Sequence, residues 1–167
     1  LMMEQPLQNR EIAVSCFGIV ARIWASLGGN PTSRSKVRRH ADQAHDTIRR
    51  MVEISNGAYL DLLPFNATLD AWARELSTIP ELKNPEDILV TLSKMHDLLA
   101  MMRDYDQITP DTSSYNHVIR ACYAPFESKS DSIDDGNTRQ QVLDLVLETY
   151  SQLNHSSVRP DAHTYLH

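Results

Sequence analysis

Side chains able to do chemistry are plentiful in this 167-residue chain, but few stand at the spacings that chemistry requires. The seven histidines are scattered, with no HExxH pair and no His/Cys set at zinc-ligand spacing. Asp131, Asp134 and Asp135 lie close together, yet their order does not match a calcium loop. No glycine-rich stretch is present to cradle a phosphate. The chain therefore reads as a non-enzyme with no cofactor and no metal. Arg34, Lys36, Arg38 and Arg39 form a basic run that could grip phosphate, with a solvated helix face as the plainer alternative. Two asparagines match the glycosylation pattern, at Asn66-Ala67-Thr68 and Asn154-His155-Ser156, and both are discounted because the first falls within an expected helix.

What does recur is a register. Pro110-Asp111 returns as Pro160-Asp161 fifty residues later, and Asp61 stands fifty residues earlier. Phe65, Tyr115 and Tyr165 share one position of this register, and Asn66 and Asn116 share the next. Coincidence explains that poorly, whereas an internal repeat explains it directly.

The elements that carry these residues follow from apolar spacing. Phe65, Thr68, Leu69 and Trp72 match Tyr115, Val118, Ile119 and Cys122 at i, i+3, i+4, i+7, and Phe17, Val20, Ala21 and Trp24 supply an earlier copy. These place first helices over about 12–26, 64–76 and 113–123. A second stripe, Val37, Ala41, Ala44, Ile48 and Met51, recurs 51 residues on as Ile88, Leu92, Met95, Leu99 and Met102. The same offset leads to Arg139, Leu143, Val146, Tyr150 and Leu153, with a basic residue in the first slot, so second helices fall over about 34–54, 85–105 and 137–154. Ser33 or Ser35, the Asn84-Pro85-Glu86 start and Asn137 supply their opening signals. Polar, turn-rich stretches separate first from second helices: 28–32, 77–85 and 125–136, the last expected to be a mobile surface loop.

The expected fold is all-α, an α-solenoid of about three helical hairpins. Its units are a flank at 1–11, hairpins at 12–61, 62–111 and 112–161, and the start of a truncated fourth at 162–167. The ends, Leu1-Met2-Met3 and Tyr165-Leu166-His167, look like the middle of motifs, so a fragment of a longer array is expected. No apolar run approaches the ~20 residues of a membrane span. Cys16 and Cys122 lie far apart and read as two buried thiols in a reducing compartment. Charge is divided unevenly. Residues 1–60 carry eight Lys/Arg against five acids, residues 61–167 eight against seventeen, so the net −6 is concentrated in the second part. Such an acidic part opposes indiscriminate binding to phosphate backbones.

The segments Thr109-Pro110-Asp111-Thr112-Ser113-Ser114-Tyr115-Asn116 and Arg159-Pro160-Asp161-Ala162-His163-Thr164-Tyr165 resemble the junctions of the pentatricopeptide repeat family. There a Pro-Asp closes one repeat, and Thr/Ser-Tyr-Asn followed by apolar residues opens the next. The units here are longer, 48 to 50 residues against about 35 in the family, with the surplus between the two helices of a hairpin. The resemblance implies binding of single-stranded RNA, one base per repeat. It pairs Asn66 with Asp111 and Asn116 with Asp161 as base-reading residues favouring uracil, each amide offering donor and acceptor while the carboxylate orients it. It also places Leu63 against a base, with Ser113 as its counterpart in the next unit, and leaves the first unit, Gly18 with Asp61, silent. A mitochondrion or plastid is the implied location. Two alternatives stand beside this. Asp111 and Asp161 could serve only as helix caps, and the array could instead be a scaffold whose concave face holds a protein partner.

Overall fold

The computed structural model describes residues 5–27, 40–78, 85–127 and 136–165. Within them the protein is all-helical: α1 (Gln5–Leu27), α2 (His40–Ser55), α3 (Leu62–Thr78), α4 (Pro85–Arg103), α5 (Thr112–Glu127) and α6 (Gly136–His155). Short 3-10 turns follow at Asp106–Ile108 and His163–Tyr165. The expected basic run, Arg34, Lys36, Arg38 and Arg39, lies outside the described residues, as do Val37, the serine caps and most of the three loops. No helix of the described residues is long and apolar enough to cross a membrane.

The apolar stripes bury as spacing dictates. Phe65, Leu69 and Trp72 of α3 and Tyr115, Val118, Ile119 and Cys122 of α5 are all within 1% of full burial. Ala41, Ala44, Ile48 and Met51 of α2 and Ile88, Leu92, Met95, Leu99 and Met102 of α4 join them. Trp24 is only half-buried. The helices pack in two rows. In one, α1 contacts α3 and α3 contacts α5; in the other, α4 contacts α6, with α2 against α1 and α3. Asp42 of α2 accepts from Trp72 Nε1 of α3 at 3.1 Å and Lys94 Nζ of α4 at 2.9 Å, tying the three helices together. Glu75 of α3, itself buried, accepts the Ala41 amide at 3.2 Å and so caps the start of α2 from across the fold.

One turn needs glycine. Between α2 and α3 the backbone turns left-handed at Asn56, Gly57 and Tyr59. A Cβ on Gly57 would meet the Tyr105 ring at 2.4 Å, so this residue brings the α2–α3 turn against the segment that follows α4.

Several expectations are corrected. Helix α1 starts at Gln5, inside the anticipated flank at 1–11, and α5 continues through Pro125 to Glu127. Asn137 sits inside α6, which starts one residue earlier. The buried stripe of α6 is Thr138, Val142, Val146, Thr149 and Leu153, and Leu143 stands 49% exposed. Ile88, Leu92 and Leu99 of α4 correspond to Thr138, Val142 and Thr149 of α6 at fifty residues, the offset that relates α3 to α5, so the expected offset of 51 placed Leu143 one residue off the buried stripe. Cys16 and Val20 are exposed, not buried. Their register positions on α3 and α5, Pro64 and Thr68, Ser114 and Val118, are buried on helices with an earlier neighbour in the row, and α1 comes first. Cys122 keeps its expected place, and burial pushes its thiol up to about 12, so it stays protonated and unreactive.

Candidate functional site

The register of aspartates and asparagines is built into the contacts between α3 and the start of α5 and between α5 and the 3-10 turn at His163–Tyr165. Asp111 ends the segment before α5, and its Oδ1 accepts the Ser114 amide at 2.8 Å while the Asp111 amide donates to Ser114 Oγ at 3.1 Å. This reciprocal pair is a capping box, which satisfies helix-end donors that would otherwise be orphaned. Asp161 and Thr164 repeat it: Thr164 N to Asp161 Oδ1 at 3.0 Å, and Asp161 N to Thr164 Oγ1 at 3.0 Å.

Onto each box an asparagine from the preceding unit is hydrogen-bonded. Asn66, on the second turn of α3, donates from Nδ2 to Asp111 Oδ1 at 3.1 Å, and its Oδ1 accepts from Ser114 Oγ at 2.6 Å. Asn116 on α5 does the same one unit later, with 3.0 Å to Asp161 and 2.8 Å from Thr164 Oγ1. The two networks match atom for atom. The hydrogen bond from Asn116, with those from Thr164, holds the Asp161 carboxyl below the usual aspartate range, so it is an anion and acceptor-only.

These contacts say which edge of the amide is in use. Ser114 Oγ lies 2.9 Å from Asp111 Oδ1, and Thr164 Oγ1 lies 3.1 Å from Asp161 Oδ1. Partners on one edge of a planar amide come that close, whereas partners on opposite edges stand roughly 6 Å apart. Protein groups therefore fill the donor–acceptor edge that would pair with a base. This corrects the expected two-point contact: each amide offers a ligand one N–H and one lone pair, on opposite flanks.

The first joint is built differently. Leu63 N donates to Asp61 Oδ1 at 3.1 Å, but the hydroxyl position holds Pro64, with neither N–H nor O–H. The asparagine position holds Gly18, where a Cβ would meet Pro64 Cγ at 3.2 Å. The proline ring crowds the space that an asparagine at position 18 would need. Leu63 is 55% exposed at the start of α3 and free to meet a ligand, and its counterpart Ser113 is exposed on α5.

A second polar cluster lies one turn further along the same helices. Asp70 of α3 accepts from Arg74 Nε at 2.8 Å and Arg120 Nη2 at 2.6 Å, with His117 Nδ1 at 3.6 Å. Burial works against its ionisation, but the hydrogen bond from Arg120, the nearby His117 and Arg74 outweigh it and hold the carboxyl below its ordinary value. His117 is pushed below the ordinary imidazole value, by burial first, and its Nε2 meets Ser113 Oγ at 3.1 Å. The contacts run Ser–His–Asp, the order of a nucleophile relay. Asp70 already serves two guanidinium groups, however, and has little charge left to stabilise an imidazolium. We read the cluster as a polar strut across the α3–α5 joint.

Sequence reasoning found Asn66, Asn116, Asp111 and Asp161 and missed Ser114, Thr164 and Pro64. The missed signal was available, because those three share the fifty-residue register. Among the described residues no group of three or more His, Cys, Asp or Glu is placed to hold a metal ion. Compared with family models, curated proteins and solved structures, the chain matches none.

Proposed function

We propose that this chain binds single-stranded RNA as a pentatricopeptide-type α-solenoid, with Asn66 and Asn116 contacting successive bases. The observation that carries the reading is the duplicated Asn–Asp–hydroxyl network on neighbouring helices, its two asparagines only half-buried. A network serving only to cap a helix has no need of the asparagine, since the box is complete without it. The spent amide edge limits each contact to a single hydrogen bond to a base, with Leu63 adding apolar contact in one unit. Per-unit discrimination is accordingly modest, and uracil preference accumulates over an array. On this reading the biological setting is transcript processing, stability or translation in a mitochondrion or plastid.

A second reading is a scaffold for a basic protein partner. The acidic balance of residues 61–167 favours it, and so does an asparagine whose pairing edge is used up between hairpins.

Fluorescence anisotropy with U-rich, A-rich and double-stranded RNA at two salt concentrations separates the two. RNA reading requires preference for single-stranded U that shrinks in Asn66→Ala and Asn116→Ala. Binding blind to sequence and lost at modest salt favours the scaffold.

A further inference from the structure

We propose that the groove between α1 and α3 takes one nucleotide of a bound RNA strand without reading its base, an inference that rests on the RNA reading above. The groove is shallow and open to solvent, with a volume of about 500 Å³, and is lined by Ile19, Arg22, Ile23, Ala67, Asp70 and Arg74 among others.

Its apolar wall comes from Ile19 and Ile23, one helical turn apart on α1 and 56% and 55% exposed. Branched aliphatic side chains held open to solvent lower their free energy when a flat apolar surface covers them, and every nucleobase has such a face. The polar rim is cationic. Arg74 is fixed by two hydrogen bonds, Nε to Asp70 Oδ2 at 2.8 Å and Nη2 to the Ala25 carbonyl at 3.0 Å, which holds its guanidinium at the groove. Arg22 is exposed on the facing helix. Asp70 divides its charge between Arg74 and Arg120, leaving the lining with a positive balance that suits one phosphate.

The absence of base reading follows from the first joint. Gly18 stands where Asn66 and Asn116 stand in the later units, so no amide meets the base edge. The groove lies beside the first of those asparagines on the same helix, Ala67 and Asp70 of its lining standing one and four residues after Asn66 on α3.

The test uses the full chain and a labelled oligouridine, extended at either end by one nucleotide carrying A, C, G or U, in anisotropy titrations at several salt concentrations. Extension at one end should raise affinity about five-fold whatever the added base. Arg22→Glu and Ile23→Asp, both at exposed positions, should erase that gain while leaving the uracil preference of the core intact. Arg22→Glu should also lower the salt slope by about one. A gain that depends on the added base, or that survives both substitutions, overturns the proposal. A one-ended, base-blind gain with no effect of Asn66→Ala or Asn116→Ala keeps the groove and removes base reading. No binding to single-stranded RNA, or preference for an acidic peptide over RNA, overturns both.

Discussion

The first joint and the two that follow it solve one problem with different chemistry. At α1–α3 a glycine lets a proline ring pack close, and Arg74 Nη2 donates to the Ala25 carbonyl at 3.0 Å. At α3–α5, and again after α5, an asparagine spans the joint to a carboxylate and a hydroxyl. The first joint forms from the Gly18–Pro64 packing and the Arg74–Ala25 hydrogen bond, with no asparagine. The asparagine network is therefore an addition to a joint that forms without it. Buried polar groups must all be satisfied to avoid a penalty, so adding the same complete network twice points to a use beyond adhesion.

The sharpest way to break the comparison is to remove the asparagine. Asn66→Ala takes a partner from both Asp111 and Ser114, and the expected loss in chemical denaturation is about 1–3 kcal/mol. Asp61→Ala at the first joint removes only a helix cap and should cost less. Equal losses would mean that the Asn66 hydrogen bonds hold their joint no more strongly than the Asp61 cap holds α3.

Acid should act next, on the α3–α5 joint through His117 and on α2 and α4 through His45 and His96. Burial holds His45, His96 and His117 below the ordinary imidazole value of 6.5. The fold prefers these rings neutral, so their contribution is complete above pH 6.5 and is lost as pH falls through their lowered folded values. The Tm should fall on acidification below pH 6.5, and His117→Gln should make that fall shallower. His117 belongs to the α3–α5 joint, and its register positions on α3 and α1 are Ala67 and Ile19, which cannot titrate. An unchanged pH profile in His117→Gln would place the sensitivity in His45 and His96 of the other row.

The smallest effect is expected from converting the first joint. Gly18→Asn alone should destabilise, because its Cβ meets Pro64 Cγ at 3.2 Å. Combined with Pro64→Ser it should recover, with a coupling of about 1 kcal/mol in a double-mutant cycle. Simple additivity of the two changes would show that register alone does not carry the network.

How much of this was legible in the sequence depended on what repeats. The apolar stripes of α2, α3, α4 and α5 could be read because burial imposes the helical period on residue type, and the Asp and Asn register because both types recur at fixed spacing. Ser114 and Thr164 share the fifty-residue register, but serine and threonine are common at helix starts, so residue type alone does not mark them as partners of an asparagine. The direction of the amides was not legible at all, since it depends on two oxygens from the next unit meeting one edge. Errors gathered where periodicity loses its partner. Cys16 and Val20 lie on a flank that only a preceding helix would bury, and Leu143 falls one residue past the buried Val142 because α6 follows α4 at fifty residues, not 51.

The most direct test observes the asparagine side chains themselves. In ¹⁵N-resolved NMR of the full chain titrated with a U-rich single-stranded RNA, base contact at these joints predicts that the Nδ2 resonances of Asn66 and Asn116 shift together, and less with an A-rich strand. Saturating RNA that leaves both resonances in place would contradict base reading and make the network a strut between hairpins.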